Sequence, residues 1–300
     1  MARGSAGRRG LDAELAQLLE DPESIGFRRL RARPPRMSRR VRRRRTWSSR
    51  LPSPVFLALV ALTIGGGALA GYAPLDSRLA RVGVFVFVVA GWLVSVCLHE
   101  FAHAYVALRG GDHAVVEAGY LRLNPFKYVH PLLSIGLPLL WIAYGGIGLP
   151  GGAVLIRQHR LRSRAWASAV SAAGPATNVA VALLSLGALR LFEAQPGSAG
   201  FALYAAIGWF AWLQVSVAIL NLLPIPGLDG WGIIEPWVAA ETARSMDKIK
   251  PFGLLILVAL LWTPRLSGAF GDLVDVVARA LGEPGWLPWF GAELFKFWVR

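Results

Sequence analysis

Long apolar runs, separated by short polar or glycine- and proline-rich segments, dominate the chain after residue 50. A helix needs roughly 20 apolar residues to cross a bilayer. Runs of suitable length lie at 54–73, 82–108, 167–191 and 201–223, with weaker candidates at 131–147, 252–263 and 266–281. The pattern predicts an all-α polytopic membrane protein with about six transmembrane helices.

A different pattern occupies the region between the second and third long runs. Residues 131–150 are apolar, but they are broken by Gly136, Pro138 and the pair Gly145-Gly146. Irregular backbone at membrane depth is tolerated only where protein or a water-filled cavity surrounds it. We therefore expect a re-entrant or short β hairpin element here, with both of its ends on one side of the membrane.

Positive charge is concentrated before the first apolar run. The chain carries a net charge of +14, and residues 1–50 hold 15 arginines against five acidic residues. Such a tail before a span favours retention on the cytosolic side, with anionic lipid headgroups as its partner, over nucleic-acid binding. We divide the chain into a basic tail (1–50), a membrane-embedded core (51–240) and C-terminal membrane or interfacial segments (241–300).

The second apolar run contains the most informative motif, His99-Glu100-Phe101-Ala102-His103. Two histidines four residues apart share one face of a helix, so both rings can reach one tetrahedral zinc ion. Glu100 stands where a general base of this motif accepts a proton from the attacking water. Polar residues are costly inside a membrane and mark functional sites by default.

A catalytic zinc site generally uses three protein ligands, and Asp229 is the best candidate for the third. It lies in the stretch from Asn221 to Gly230, in which two prolines and two glycines interrupt the helix. Topology with a cytosolic N-terminus brings it to the same membrane side as the two histidines. Two alternatives are open: Asp229 caps the next helix, or the third ligand is one of Glu117, Glu193 and Glu235.

Asn178 lies in another apolar run, just after the Gly174-Pro175 break. Its carboxamide could donate a hydrogen bond to a substrate carbonyl or a developing oxyanion. It could equally join neighbouring helices by hydrogen bonding inside the membrane. Residue chemistry alone leaves both roles open.

These elements together, in this order, resemble the site-2 protease family of intramembrane zinc metalloproteases over roughly residues 85–235. The resemblance implies one Zn²⁺ per chain, held by His99, His103 and Asp229, with Glu100 as the catalytic glutamate. It also implies that Asn178 and Asn221 lie near the substrate.

The resemblance further implies peptide-bond hydrolysis in or near the transmembrane segments of single-span substrates, in a bacterial plasma membrane with the active site toward the cytosol. Gly148–Arg164 loosely matches a short β element that pairs with substrate in relatives. The alternative is a catalytically silent membrane protein that binds client transmembrane helices. A transporter is disfavoured because two related halves with paired broken helices are not evident.

Overall fold

The structure is a computed structural model that describes residues 52–127 and 156–298. In these two segments the α-helices are α1 (Pro54–Tyr72), α2 (Arg78–Gly110), α3 (Ala114–Ala118), α4 (Arg164–Leu191), α5 (Phe201–Asn221), α6 (Asp229–Ile234), α7 (Ala240–Asp247), α8 (Gly253–Leu261), α9 (Pro264–Ala280) and α10 (Leu287–Phe295).

Four of these helices, α1, α2, α4 and α5, are long and apolar enough to cross a membrane. The all-α class is thereby confirmed, and each predicted long span matches one helix to within a few residues. Helices α8 and α9 belong to a pair bent by 94°, so the described residues supply four spans, or five if the pair crosses as one. The predicted six is not confirmed, because one weaker candidate (131–147) lies outside the described residues and the other two form the bent pair.

The predicted hairpin and the candidate span at 131–147 lie outside the described residues, as does the basic tail. Of the segment Gly148–Arg164, residues 156–164 are described. They contain a short 3₁₀ turn at Gln158–Arg160 and no strand. The rest of the predicted β element also lies outside the described residues.

Serine residues start three of the four long helices. The hydroxyl oxygens of Ser53, Ser77 and Ser163 each accept a hydrogen bond from the backbone N–H three residues later, at 3.1, 3.1 and 3.3 Å. Such caps satisfy one of the free N–H groups at a helix start. At its other end, α2 stops at Gly111, whose φ of 118° lies in the left-handed region that glycine favours.

Helices α1 and α2 approach each other closely through small residues. A Cβ added at Gly66 would lie 2.6 Å from the backbone nitrogen of Phe87, and one at Gly83 would lie 2.5 Å from that of Ala70. Small residues permit this close backbone packing between membrane helices, where van der Waals contact takes over from the hydrophobic effect. The contact fixes the start of α2 well before the motif at its far end.

Helix α5 is the central element of the described core. In its most apolar window 89% of the residues are buried, compared with 17% in α1. Helix α10 packs against its first half, where Phe201 contacts Phe290. Helix α9 is tied to its middle because Trp212 Nε1 donates a 2.6 Å hydrogen bond to Asp275.

Two backbone hydrogen bonds join segments that lie at the ends of helices. The N–H of Arg162, just before α4, donates to the carbonyl of Gly110 at the end of α2, at 3.0 Å. The N–H of Ser53, just before α1, donates to the carbonyl of Arg122 at 2.7 Å. The end of α2 and the start of α4 are thereby joined, and the start of α1 is joined to the segment that follows α3.

Glu283, after α9, provides a test of this packing. Burial, followed by the nearby Asp275, raises the pKa of its carboxyl to about 8, with Arg279 opposing the shift. An unfolded chain would release the same proton near pH 4.3. The folded state therefore binds this proton more tightly, and its contribution to stability declines as pH rises from about 4.3 toward 8.

We expect Glu283→Gln to raise the thermal unfolding temperature at pH 8.5 and to change it little at pH 4.5, because glutamine carries no proton to lose. Thermal unfolding of the purified protein in detergent at both pH values measures this. Glu293→Gln, at an exposed position of α10, is the matched control and should have the same small effect at both. An equal effect of Glu283→Gln at the two pH values would contradict the assignment.

Candidate metal centre

His99 and His103 lie one turn apart on α2, and both are 7% exposed. Because i and i+4 residues share a helix face, their rings come together, with the two Nε2 atoms 3.0 Å apart. The predicted pairing of these histidines is thus present in the fold. Both rings point into the bundle toward α4.

Asp229 reaches the same point from the segment after α5. Helix α5 ends at Asn221, and the chain then turns through two prolines and Gly227, whose φ is +99°. Asp229 Oδ2 lies 3.2 Å from His99 Nε2, and Oδ1 lies 3.4 Å from His103 Nε2. Asp229 is itself the first residue of α6 and makes no capping hydrogen bond, so the helix-cap alternative is not adopted.

Each histidine ring is held from behind at its Nδ1 atom. His99 Nδ1 lies 2.6 Å from the side-chain oxygen of Asn178, and His103 Nδ1 lies 2.6 Å from the backbone carbonyl of Val170. Both partners are acceptors only, so each Nδ1 carries a proton and donates. In neutral rings each Nε2 then presents a lone pair, which is the arrangement of metal-ligating histidines.

The centre therefore contains three electron-pair donors facing one another. With each Nδ1 proton donated away from the centre, both rings turn Nε2 toward the Asp229 carboxylate. Two nitrogen lone pairs and a carboxylate at this separation repel each other unless a cation lies between them. This arrangement of three donors therefore favours a bound cation.

The spacing of the three donors fits zinc. Ligand bonds of about 2.0–2.1 Å in a tetrahedron place neighbouring ligand atoms about 3.3 Å apart. The observed separations of 3.0, 3.2 and 3.4 Å fall around that value. Two imidazoles and a carboxylate with a remaining open position also form the kind of ligand set that catalytic zinc sites use.

Gly174 on α4 keeps the space beside these donors open. A Cβ at this position would lie 2.3 Å from His103 Nε2 and 2.4 Å from His99 Nε2. Any other residue would occupy the space in which a metal and its fourth ligand must fit. Helix α4 continues through Gly174 and Pro175, so the predicted Gly-Pro break is absent, and the glycine instead keeps this space open.

Glu100 and Asn221 lie next to this centre. Glu100 follows His99 on α2 and is 1% exposed. Asn221 is 5% exposed and shares with His99 and Asn178 the lining of a small cleft. The carboxamide of Asn178, in contrast, makes hydrogen bonds to His99 on α2 and Gln214 on α5, as the interhelical alternative predicts.

The alternative third ligands lie elsewhere. Within the described part of the chain, one group of three side chains could hold a metal ion: His99, His103 and Asp229. Glu117 and Glu193 are exposed, and Glu235 forms an ion pair with Lys250. Sequence reasoning missed the carbonyl of Val170, which has no side-chain signature, and also missed Gln214, a polar residue inside an apolar run.

Comparisons with known proteins agree with this geometry. The chain is 50% identical to "Putative zinc metalloprotease Rip2" of Mycolicibacterium smegmatis over 248 residues, which cover 82% of this chain and 94% of the relative. It is 48% identical, with the same coverage, to the protein of that name in Mycobacterium tuberculosis. "Putative zinc metalloprotease YwhC" of Bacillus subtilis is 32% identical over 182 residues, 59% of this chain and 81% of that protein. No protein-family model and no solved structure matches the chain.

Gly174→Ala tests the open space at the centre. We expect this single methyl group to abolish stoichiometric zinc uptake, because its carbon would lie within about 2.4 Å of both histidine nitrogens. Zinc content per chain, measured by elemental analysis after equal metal exposure, reports the effect.

Gly187→Ala is the matched control, since it makes the same change on the same helix at a position with no heavy atom within 4 Å. It should bind zinc as the wild type does. Equal zinc in the Gly174→Ala and Gly187→Ala proteins would show that the metal does not occupy this space.

Proposed function

The chain belongs to the site-2 protease family of membrane zinc metalloproteases, and on this premise we propose that it hydrolyses peptide bonds in or near transmembrane segments of membrane-anchored proteins. The proposal assigns one Zn²⁺ to His99, His103 and Asp229, and the catalytic proton transfer to Glu100. Its substrates would be single-span membrane proteins.

The observation that carries the proposal is the convergence of three separate sequence elements on one point. The histidines come from α2, the carboxylate comes from the irregular segment after α5, and α4 contributes a glycine that leaves the space between them open. A packing role alone would not require two protonated Nδ1 atoms behind two facing Nε2 lone pairs.

When bound, zinc would polarise the scissile carbonyl and lower the pKa of the attacking water toward neutrality. Glu100 then accepts the proton of that water and passes it to the leaving amine. With their Nδ1 protons donated to Asn178 and Val170, His99 and His103 would each bind the metal through Nε2. Asn221, which lines the cleft, would donate a hydrogen bond from its amide to the carbonyl oxygen as negative charge develops there.

We also propose that this end of the bundle faces the cytosol of a bacterial cell. Arg109 lies in the last turn of α2, Arg122 and Lys127 follow that helix, and four arginines lie from residue 157 to residue 164. Excess Lys and Arg in short segments next to the spans marks the cytosolic side. The basic tail would then lie on that side as well, against anionic headgroups.

Glu100→Gln separates catalysis from metal binding. We expect cleavage to fall by at least about 10²-fold, because the amide cannot accept a proton, while zinc content stays near that of the wild type. The assay follows a panel of tagged single-span membrane proteins that are reconstituted with the purified enzyme in liposomes.

His103→Ala is the comparison variant for this assay, and it should lose both zinc and cleavage. Wild-type protein that holds zinc but cleaves no member of the panel, and binds some of them, would favour the catalytically silent alternative. Undiminished cleavage by Glu100→Gln would overturn the assigned role of the glutamate.

Asn221→Ala addresses the amide at the cleft. If it stabilises the developing oxyanion, kcat should fall by about 10²–10³-fold with zinc affinity unchanged, since Asn221 makes no contact with the three donor atoms in the described structure. Steady-state cleavage kinetics together with a zinc titration test this. A loss of zinc affinity equal to the loss of rate would instead assign Asn221 a role in building the metal site.

A further inference from the structure

Three polar side chains form a connected group behind His99, inside the membrane-spanning helices. Ser95 lies on α2, Asn178 on α4 and Gln214 on α5, and they are 2%, 3% and 0% exposed. Buried polar groups at this depth are held by one another or mark functional sites. Gln214 belongs to no recognised motif, and nothing described above uses it.

The hydrogen bonds within this group are donated in one direction, from His99 through Asn178 to Gln214. Gln214 Oε1 accepts from Asn178 Nδ2 at 2.9 Å and from Ser95 Oγ at 2.7 Å. Asn178 Nδ2 also donates to Ser95 Oγ at 3.3 Å. The nitrogen end of the Asn178 carboxamide is thereby committed to these two acceptors, and its oxygen is left to face His99 Nδ1 at 2.6 Å.

This direction matters because a carboxamide has two unlike ends. If the amides of Asn178 and Gln214 both turned end for end, Asn178 would present its N–H₂ group to His99 Nδ1. That nitrogen would have to accept, and the proton of the neutral ring would move to Nε2. The lone pair that faces His103 and Asp229 would be lost.

His103 has no comparable choice. Its Nδ1 faces the backbone carbonyl of Val170, which is an acceptor in every state of the protein. The two ligating histidines are therefore supported in different ways, one by fixed backbone and one by a side chain whose orientation depends on its neighbours. Of the two Nε2 atoms, that of His99 is the one whose lone pair depends on a side-chain network.

We propose that Gln214, with Ser95, is a positioning residue for the metal centre: its side-chain oxygen holds the Asn178 carboxamide so that His99 keeps its proton on Nδ1 and offers Nε2 to the metal. Gln214 Nε2 is buried without a hydrogen-bond partner among the described residues, so it is the oxygen end of this side chain that the network uses. This inference rests on the proposed zinc site and adds a residue to it.

Gln214→Met tests the proposal, because methionine has a similar volume but offers no comparable acceptor. We expect zinc affinity, measured by competition with a chromogenic chelator on the purified full-length protein, to fall by about 10–100-fold, the usual effect of removing an outer partner of a metal ligand. Gln214→Glu keeps an oxygen toward Asn178 and should restore most of the affinity.

Ser216→Ala is the matched control on the same helix. Ser216 is also fully buried, but its hydroxyl donates only to the Leu213 carbonyl at 2.8 Å. Its removal should leave zinc affinity unchanged. A loss in Ser216→Ala as large as that in Gln214→Met would contradict a specific role for Gln214.

A double-mutant comparison distinguishes orientation from general destabilisation. Asn178→Asp presents an oxygen to His99 whichever way its carboxylate turns, so adding Gln214→Met to that variant should no longer weaken zinc binding. An equal loss in both backgrounds, or wild-type affinity in Gln214→Met alone, would overturn the inference. Failure of the proposed function looks different, because then the wild-type protein itself would take up no zinc.

Discussion

Two imidazole nitrogens and a carboxylate face one another across 3.0–3.4 Å inside an apolar bundle, and they repel each other without a cation. Several features of the fold serve to maintain this arrangement. Helix α2 supplies the i, i+4 spacing, α4 supplies the acceptors behind the rings, and the irregular segment after α5 brings in the charge. Each of these elements must be held against a local electrostatic penalty, and the absence of a side chain at Gly174 leaves room for the cation that would remove it.

The long spans and the three donors were predictable because their signals are local or belong to one motif. Apolar run length sets the helix bounds, and the spacing of His99 and His103 follows from helix geometry. Asp229 was predictable because proline and glycine mark a break beside a carboxylate. The two possible roles of Asn178 differed only in which neighbours it meets, and those neighbours come from helices distant in sequence.

Other parts had no sequence signal of the right kind. The Val170 carbonyl is a backbone group, so no residue type in the sequence indicates its role. Gln214 and Ser95 looked like isolated polar positions because their contact spans 119 residues of sequence. The bend between α8 and α9 was not predictable either, since hydropathy measures the length of an apolar run and not its direction. Two weak spans were therefore expected where the structure has one sharply bent pair.

Helix α4 carries both groups that fix the histidine rings, the Val170 carbonyl and the Asn178 carboxamide, about 12 Å apart along its axis. A small slide of α4 against α2 would thus release both rings at once. The metal content of a preparation therefore reports whether α4 and α2 keep their register. A purification that loosens the packing of α4 on α2 would release the metal while every helix stays intact. Helical content alone would then fail to show that the preparation had lost its metal.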